Sequence, residues 1–183
     1  MNSTLFEPLI KKSARFDPTM AFRFELRRWW SDSPARWVAW LMSNPSNADG
    51  YRDDPTIKRV IRFAQLWGYD GAIIVNTCPI ISSNPAVALK LLAGHGEYGK
   101  EQILQNFEFI YKAGSEAQLR IAAFGANPMI RLSREQLNKF GSPLHCLGTV
   151  LSGDPIHPLA RGKMRIPDSA MPKLWRSSDD RTG

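Results

Sequence analysis

The apolar run Trp37-Val-Ala-Trp-Leu41 constrains this chain most, because of the two segments that come after it. It empties at Met42 into the polar stretch Ser43-Asn-Pro-Ser-Asn-Ala-Asp-Gly-Tyr-Arg-Asp-Asp54, and an amphipathic segment begins directly afterwards. A strand that is apolar at every position belongs inside a sheet covered on both faces. Strand, polar loop and helix in that order belong to an α/β sheet, which places ligands beyond the carboxyl ends of its strands. The loop, rich in Asn, Ser and Asp and stiffened by Pro45 and Pro55, is expected to form part of a site.

The alternation recurs downstream. Asp54-Pro55-Thr56 has the chemistry of a helix start, with Asp as N-cap and Pro at the first helical position. Ile57, Val60, Ile61, Ala64, Leu66 and Trp67 come next at helical spacing, Lys58, Arg59 and Arg62 lie opposite, and Gly68 ends the helix. Gly71-Ala-Ile-Ile-Val-Asn76 predicts a parallel core strand, Leu119–Phe124 a third, and Leu144–Leu147 a short fourth. Between them the sequence predicts a long loop over 80–100 with a short helix at 85–92, then helices over 100–113 and 129–140. Upstream, Phe22-Arg-Phe-Glu-Leu26 alternates as a strand does. The turn Ser31-Asp-Ser-Pro34 predicts that strands 22–29 and 36–42 form an antiparallel hairpin. The sum is an α/β chain, a three-layer sandwich around a central, mostly parallel sheet. Residues 1–20 read as an N-terminal arm, 21–166 as a single domain, and 167–183 as a loose C-terminal tail.

Composition narrows the function class. A hydrophobic fraction of 43% excludes a disordered chain, and no run of about 18 apolar residues offers a membrane span. The first residues lack the apolar core of a signal peptide, so the expected location is cytoplasmic. Cys78 and Cys146 lie far apart in apolar surroundings and read as buried free thiols. No cofactor is expected, and no metal either, since a Zn site needs clustered ligands. With 24 basic and 17 acidic residues the net charge is +7, which favours a polyanionic partner, a nucleic acid (DNA) or a nucleotide. The protein is expected to be a monomer.

In this topology the ends of neighbouring parallel strands lie side by side. Three loops then meet on one face: Asn44-Pro-Ser-Asn47, Asn76-Thr77, and Gly153 to His157, with Gly125-Ala-Asn127 as a fourth edge. They bring together amide groups, hydroxyls and one imidazole. No P-loop, nucleophile elbow or His-Glu-x-x-His motif is present. Each candidate also has a structural reading. Asn44 and Asn76 could cap strand exits, His157 could pack a turn, and Asp54 reads as the N-cap rather than a catalyst. Asp49 and Asp53 read as a solvated loop face, with Mg²⁺ binding beside a phosphate as the alternative. His95 falls in a glycine-rich loop and His145 in a short apolar strand. Trp29, Trp30, Trp37 and Trp40 read as core packing rather than a base-stacking platform.

The pattern Asn-Pro-Ser-x-Ala-Asp, Asp-Asp-Pro-Thr-Ile-x-Arg, Phe-Ala-x-x-Trp-Gly-Tyr, Val-Asn and Gly-x-Pro-x-His-Pro-Leu resembles an uncharacterised family of bacteria and phages. That family is numbered 1643 among the domains of unknown function, and the resemblance spans roughly residues 22–166. More distantly, the order of parts resembles the uracil-DNA glycosylase superfamily, through Ser43-Asn44-Pro45, Val75-Asn76-Thr77, Ala123-Phe124-Gly125 and Ile156-His157-Pro158. This second resemblance implies a glycosylase-like fold and roles by position. Asn44 would orient an attacking water, Asn76 would read the edge of a flipped base, and His157 would stabilise the leaving base. Ser46, Tyr51 and Thr77 would contact the base or substrate, Tyr51 by stacking. Arg161 and Lys163, after the His-Pro motif, would grip phosphates. The first motif lacks the aspartate that such enzymes can carry there. The implied function is base recognition with N-glycosidic cleavage. The alternatives are a non-catalytic binder of modified or flipped bases, and a Mg²⁺-dependent enzyme on a small nucleotide using Asp49, Asp53 and Asp54.

Overall fold

The computed structural model describes residues 9–46, 48–126 and 134–177. Its strands are β1 (Lys11–Phe16), β2 (Arg23–Trp29), β3 (Trp37–Met42), β4 (Gly71–Asn76), β5 (Leu119–Ala122), β6 (Leu144–Cys146) and β7 (Lys173–Arg176). The helices are α1 (Pro55–Leu66), α2 (Pro85–Gly94), α3 (Gly96–Glu116) and α4 (Arg134–Phe140). The seven strands form one sheet in the order β1-β2-β4-β3-β5-β6-β7. Its centre, β4-β3-β5-β6, is parallel, β2 and β7 run antiparallel to it on either side, and β1 pairs antiparallel with β2 at the edge. The chain is a mixed α/β protein with a mostly parallel central sheet.

Strand periodicity divides the core between two faces. Val38, Trp40, Ala72 and Ile74 pack with Ile57, Val60, Ile61, Ala64 and Trp67 of the α1 segment. Their neighbours Ala39, Leu41, Ile73 and Val75 pack on the other side with Ile110 and Ala113 of α3 and Leu137 and Phe140 of α4. Because helices cover both faces, the central strands have no polar side to show, which explains their uniform apolarity. Trp40 stacks on Trp67 with ring centroids 5.6 Å apart, and Trp37 faces Trp29 at 6.4 Å, so these tryptophans are packing residues. Cys78 and Cys146 are free and buried.

Three expectations need correction. Strands 22–29 and 36–42 do not form a hairpin: β4 lies between them, antiparallel to β2 and parallel to β3. Segment 30–36 is therefore a crossover, anchored by the Asp70 carboxylate accepting from the Ala35 and Arg36 N–H groups. Local turn chemistry marked a reversal but could not say which strand would insert. Within the expected arm, Lys11–Phe16 is an edge strand, and within the expected tail so is Lys173–Arg176. Their alternation is obscured by charge on both faces, which suits sheet edges. Third, His95 lies at the junction of α2 and α3 rather than in a long loop, its ring edge-on to Phe22 at 5.0 Å. The helix expected over 129–140 is described from Arg134 onward, and its earlier part lies outside the described residues.

Gly71 pairs with Trp29 on one side and Trp37 on the other. A Cβ there would sit 2.5 Å from the Trp37 ring and 2.9 Å from the Arg28 carbonyl. Gly71→Ala should therefore lower stability by roughly 1–3 kcal/mol, the usual cost of overpacking, read as a shift in the urea midpoint.

Candidate functional site

The parallel ladder continues past the strands and fixes the loops that leave them. Thr77 N–H donates to Met42 O at 2.8 Å, Cys78 N–H to Ser43 O at 2.9 Å, Ser82 N–H to Pro45 O at 2.9 Å, and Ala123 N–H to Leu41 O at 2.9 Å. Beyond β6 the chain doubles back, with Ile156 N–H donating to Gly148 O at 2.9 Å, and this return delivers His157 beside Gly125. A cleft of about 470 Å³ lies among these strand ends. Its lining includes Asn44, Ser46, Asn76, His157, Gly125 and Ala126. The three side chains expected to share a pocket line this one cleft, together with Ser46. Asn47 and Asn127 lie outside the described residues.

Hydrogen-bond partners fix which polar atoms remain for a ligand. The Asn44 amide faces two carbonyls, Ser82 O at 2.7 Å and Pro45 O at 3.2 Å, so both contacts must come from Nδ2 and Oδ1 is left as an acceptor. Asn76 faces the Arg23 guanidinium at 3.5 Å, the long limit of a hydrogen bond. A guanidinium has no acceptor, so Oδ1 points at Arg23 and Nδ2 is left as a donor. His157 accepts the Leu159 N–H on Nδ1 at 3.1 Å, which leaves the neutral ring's proton on Nε2. Burial pushes the His157 pKa down from its ordinary value, an effect that Asp54 partly offsets. Ser43 Oγ is buried at the cleft without a partner among the described residues. The cleft thus offers an acceptor from Asn44 and donors from Asn76 and His157.

Asp54 is the N-cap of α1, its Oδ1 accepting the Ile57 N–H at 2.9 Å, and it also lines the cleft with Oδ2 accepting from the Ser46 hydroxyl. The start of α1 thereby places a carboxylate at the cleft. The Mg²⁺ group named as an alternative, Asp49, Asp53 and Asp54, does not assemble. Asp53 takes Arg28 Nε at 2.6 Å and Lys12 Nζ at 2.6 Å, whereas Asp49 accepts the Tyr51 and Arg52 N–H groups at 2.7 Å each. Among the described residues no three His, Cys, Asp or Glu side chains converge as metal ligands would.

The remaining candidates lie elsewhere. Thr77 is buried beneath the cleft, its hydroxyl donating to Ser43 O at 2.9 Å, and it supports the loop rather than lining it. Tyr51 is 88% exposed and outside the cleft. Arg161 is exposed and outside it too, and Lys163 borders a separate open groove of about 460 Å³ with Arg165, Lys173 and Ile156. His145 lies on β6, away from the cleft. Sequence reading missed Arg23, the first residue of β2. The antiparallel register, with Leu26 opposite Ile74, carries the start of β2 to the carboxyl end of β4 and so to the cleft.

Stability should fall on acidification in two stages. His157 and His145, both pushed down by burial, bind protons more readily unfolded. The stability this represents is present above the ordinary histidine value of 6.5 and is lost as pH falls from there to the folded value. Burial would raise Asp53, but hydrogen bonds from Lys12 and Arg28 outweigh it, so its contribution is lost only as pH falls through and below 3.8. Urea midpoints measured across this range should show both steps, and His157→Gln should shrink the first.

A family model described as protein of unknown function (DUF1643) matches residues 23–159. No curated protein and no solved structure matches the chain. None of the described helices is long and apolar enough to cross a membrane. The matched segment contains every polar side chain of the cleft named above and ends two residues before Arg161.

Proposed function

The chain belongs to the DUF1643 family of proteins of unknown function, and from the cleft within that segment we propose that it binds an extruded nucleic-acid base and cleaves its N-glycosidic bond. The observation that carries this reading is the meeting of Asn44, Asn76 and His157 in one cleft at the strand ends. Its volume lies in the range of small-molecule sites, large enough for a base and its sugar. The resemblance to the uracil-DNA glycosylase superfamily supports the same assignment of parts.

A base attacked inside a duplex must first leave the stack and be held by its polar edge. Asn76 Nδ2 donates to a carbonyl on that edge. Asn44 Oδ1 accepts a hydrogen of the attacking water and aims its oxygen at the sugar C1′. As the water oxygen bonds to C1′, the C1′–N bond breaks and its electron pair leaves with the base. His157 Nε2–H, neutral because burial disfavours its charged form, donates to the oxygen on which that negative charge gathers. Asp54 takes the proton that the water loses. Lys163, Arg165 and Lys173 flank the next groove, and Ile156 and His157 separate the two depressions, so a strand leaving the cleft meets cations for its phosphates.

The test is a screen for abasic sites over oligonucleotides carrying diverse modified bases, single- and double-stranded, with and without EDTA. Release of a free base that persists in EDTA supports the reading. Tight binding of a modified strand with no release would instead establish a binder that does no chemistry.

A further inference from the structure

Two arginines are buried on β2, and they are treated differently. Arg28 is fully buried and every one of its nitrogens donates: Nε to Asp53, Nη1 to Arg27 O and Ser13 O, Nη2 to Asp49 O and Arg52 O. Arg23 is 3% exposed and borders the cleft. Its Nη1 donates to Ala48 O and its Nη2 reaches Asn76 Oδ1 at only 3.5 Å, while Nε is buried with no partner among the described residues. It also makes no ion pair there. Asp54 and Asp49 favour its charge from a distance and Arg28 opposes it, but neither carboxylate forms a hydrogen bond or ion pair with it among the described residues. Burial pushes the Arg23 pKa down to about 10, which leaves it charged at neutral pH.

A buried cation without a counter-ion is strongly unfavourable, and the same strand shows that the fold can compensate one when only structure is at stake. What Arg23 has instead of a carboxylate is the cleft. The first turn of α1, a 12-residue helix, lines that cleft at Thr56 and Ile57 and adds the positive end of its dipole. The Asp54 carboxylate repels a second anion, which keeps any bound oxyanion to the side of Arg23 and the Asn76 amide.

We infer that the ligand of this cleft is an acidic heterocycle, one whose carboxylate or ionised oxo group supplies the counter-ion that Arg23 lacks. This rests on the base-binding reading above and narrows it, since neutral amino-substituted bases leave the guanidinium bare. A planar guanidinium fork suits a carboxylate or a conjugated oxyanion better than an isolated neutral acceptor.

Calorimetric titration of the full chain with orotate and uracil-5-carboxylate, against uracil as the neutral control and inorganic phosphate as the ring-free one, tests the inference. At least one carboxylated ring should bind about thirtyfold or more tighter than uracil, the range of a buried charge pair. Arg23→Met should abolish that preference, bringing the affinity of the carboxylated ring down to that of uracil measured on the same variant, and Arg23→Lys should restore part of it. The melting temperature of Arg23→Met should hold or rise, since an apolar side chain removes an uncompensated buried charge. If Arg23→Met does not fold, Arg23→Gln serves the same comparison. Equal affinity for all three rings, unmoved by either variant, would overturn the inference and leave base binding intact. Arg23-dependent binding of phosphate with no ring bound, or no binding of any kind, would overturn both.

Discussion

Replacing Arg28 with methionine should lower the unfolding free energy by roughly 3–5 kcal/mol, the usual consequence of removing one partner from a buried ion pair. The guanidinium is the donor for four backbone carbonyls as well as for Asp53, so its loss leaves acceptors unpaired on three segments at once. The Asp53 carboxylate would keep only Lys12. Urea unfolding should show a lower midpoint with an unchanged slope. Asp53→Asn in the Arg28→Met background should recover part of the loss, because the stranded charge is then gone. Should Arg28→Met cost no more than Arg23→Met, the distinction between a compensated and an uncompensated arginine fails, and with it the reason for assigning Arg23 to a ligand.

His157→Ala should reduce the rate of base release by about 10²–10³, the effect of deleting one donor to an oxyanion, with KM nearly unchanged. Asn44→Ala should act in the same direction, because Oδ1 is the acceptor that its two backbone contacts leave free. Tyr51→Ala should leave the rate alone, as its side chain stands outside the cleft. Single-turnover measurements on the most responsive oligonucleotide would separate chemistry from binding. A full rate from Asn44→Ala would end the catalytic reading and leave recognition without cleavage.

Much of the architecture could be read from hydrophobic pattern. Trp37–Leu41 and Gly71–Asn76 are apolar at successive positions because helices cover both sides of the sheet, and the sequence exposes that directly. The α1 start was equally legible, since Asp54 and Pro55 do there what their chemistry dictates. Strand order was not. Whether β2 lies beside β3 or beyond β4 depends on contacts between residues more than forty apart, which local turn chemistry does not encode. The cleft was partly legible: Asn76 ends a strand while Asn44 and His157 come after one, and parallel strands bring such positions together. Arg23 was hidden because Phe22-Arg-Phe-Glu-Leu26 looks half-solvated, and an alternating strand reads the same whether its polar side meets water or a cavity. Asp54 was visible as a cap, but its second oxygen, turned to Ser46 at the cleft, was not.

Lys12 on β1 holds the loop over residues 49–53 from outside, donating to Tyr51 O at 3.1 Å and Asp53 at 2.6 Å, while Ser13 O takes a hydrogen from Arg28. Trimming β1 would therefore loosen the segment that joins Ser46 to Asp54, two residues of the pocket lining, while sparing every group that faces it. Assays on such a shortened form would report a defect in recognition whose origin is a missing brace, and a form that keeps β1 is the one on which any screen for ligands should be run.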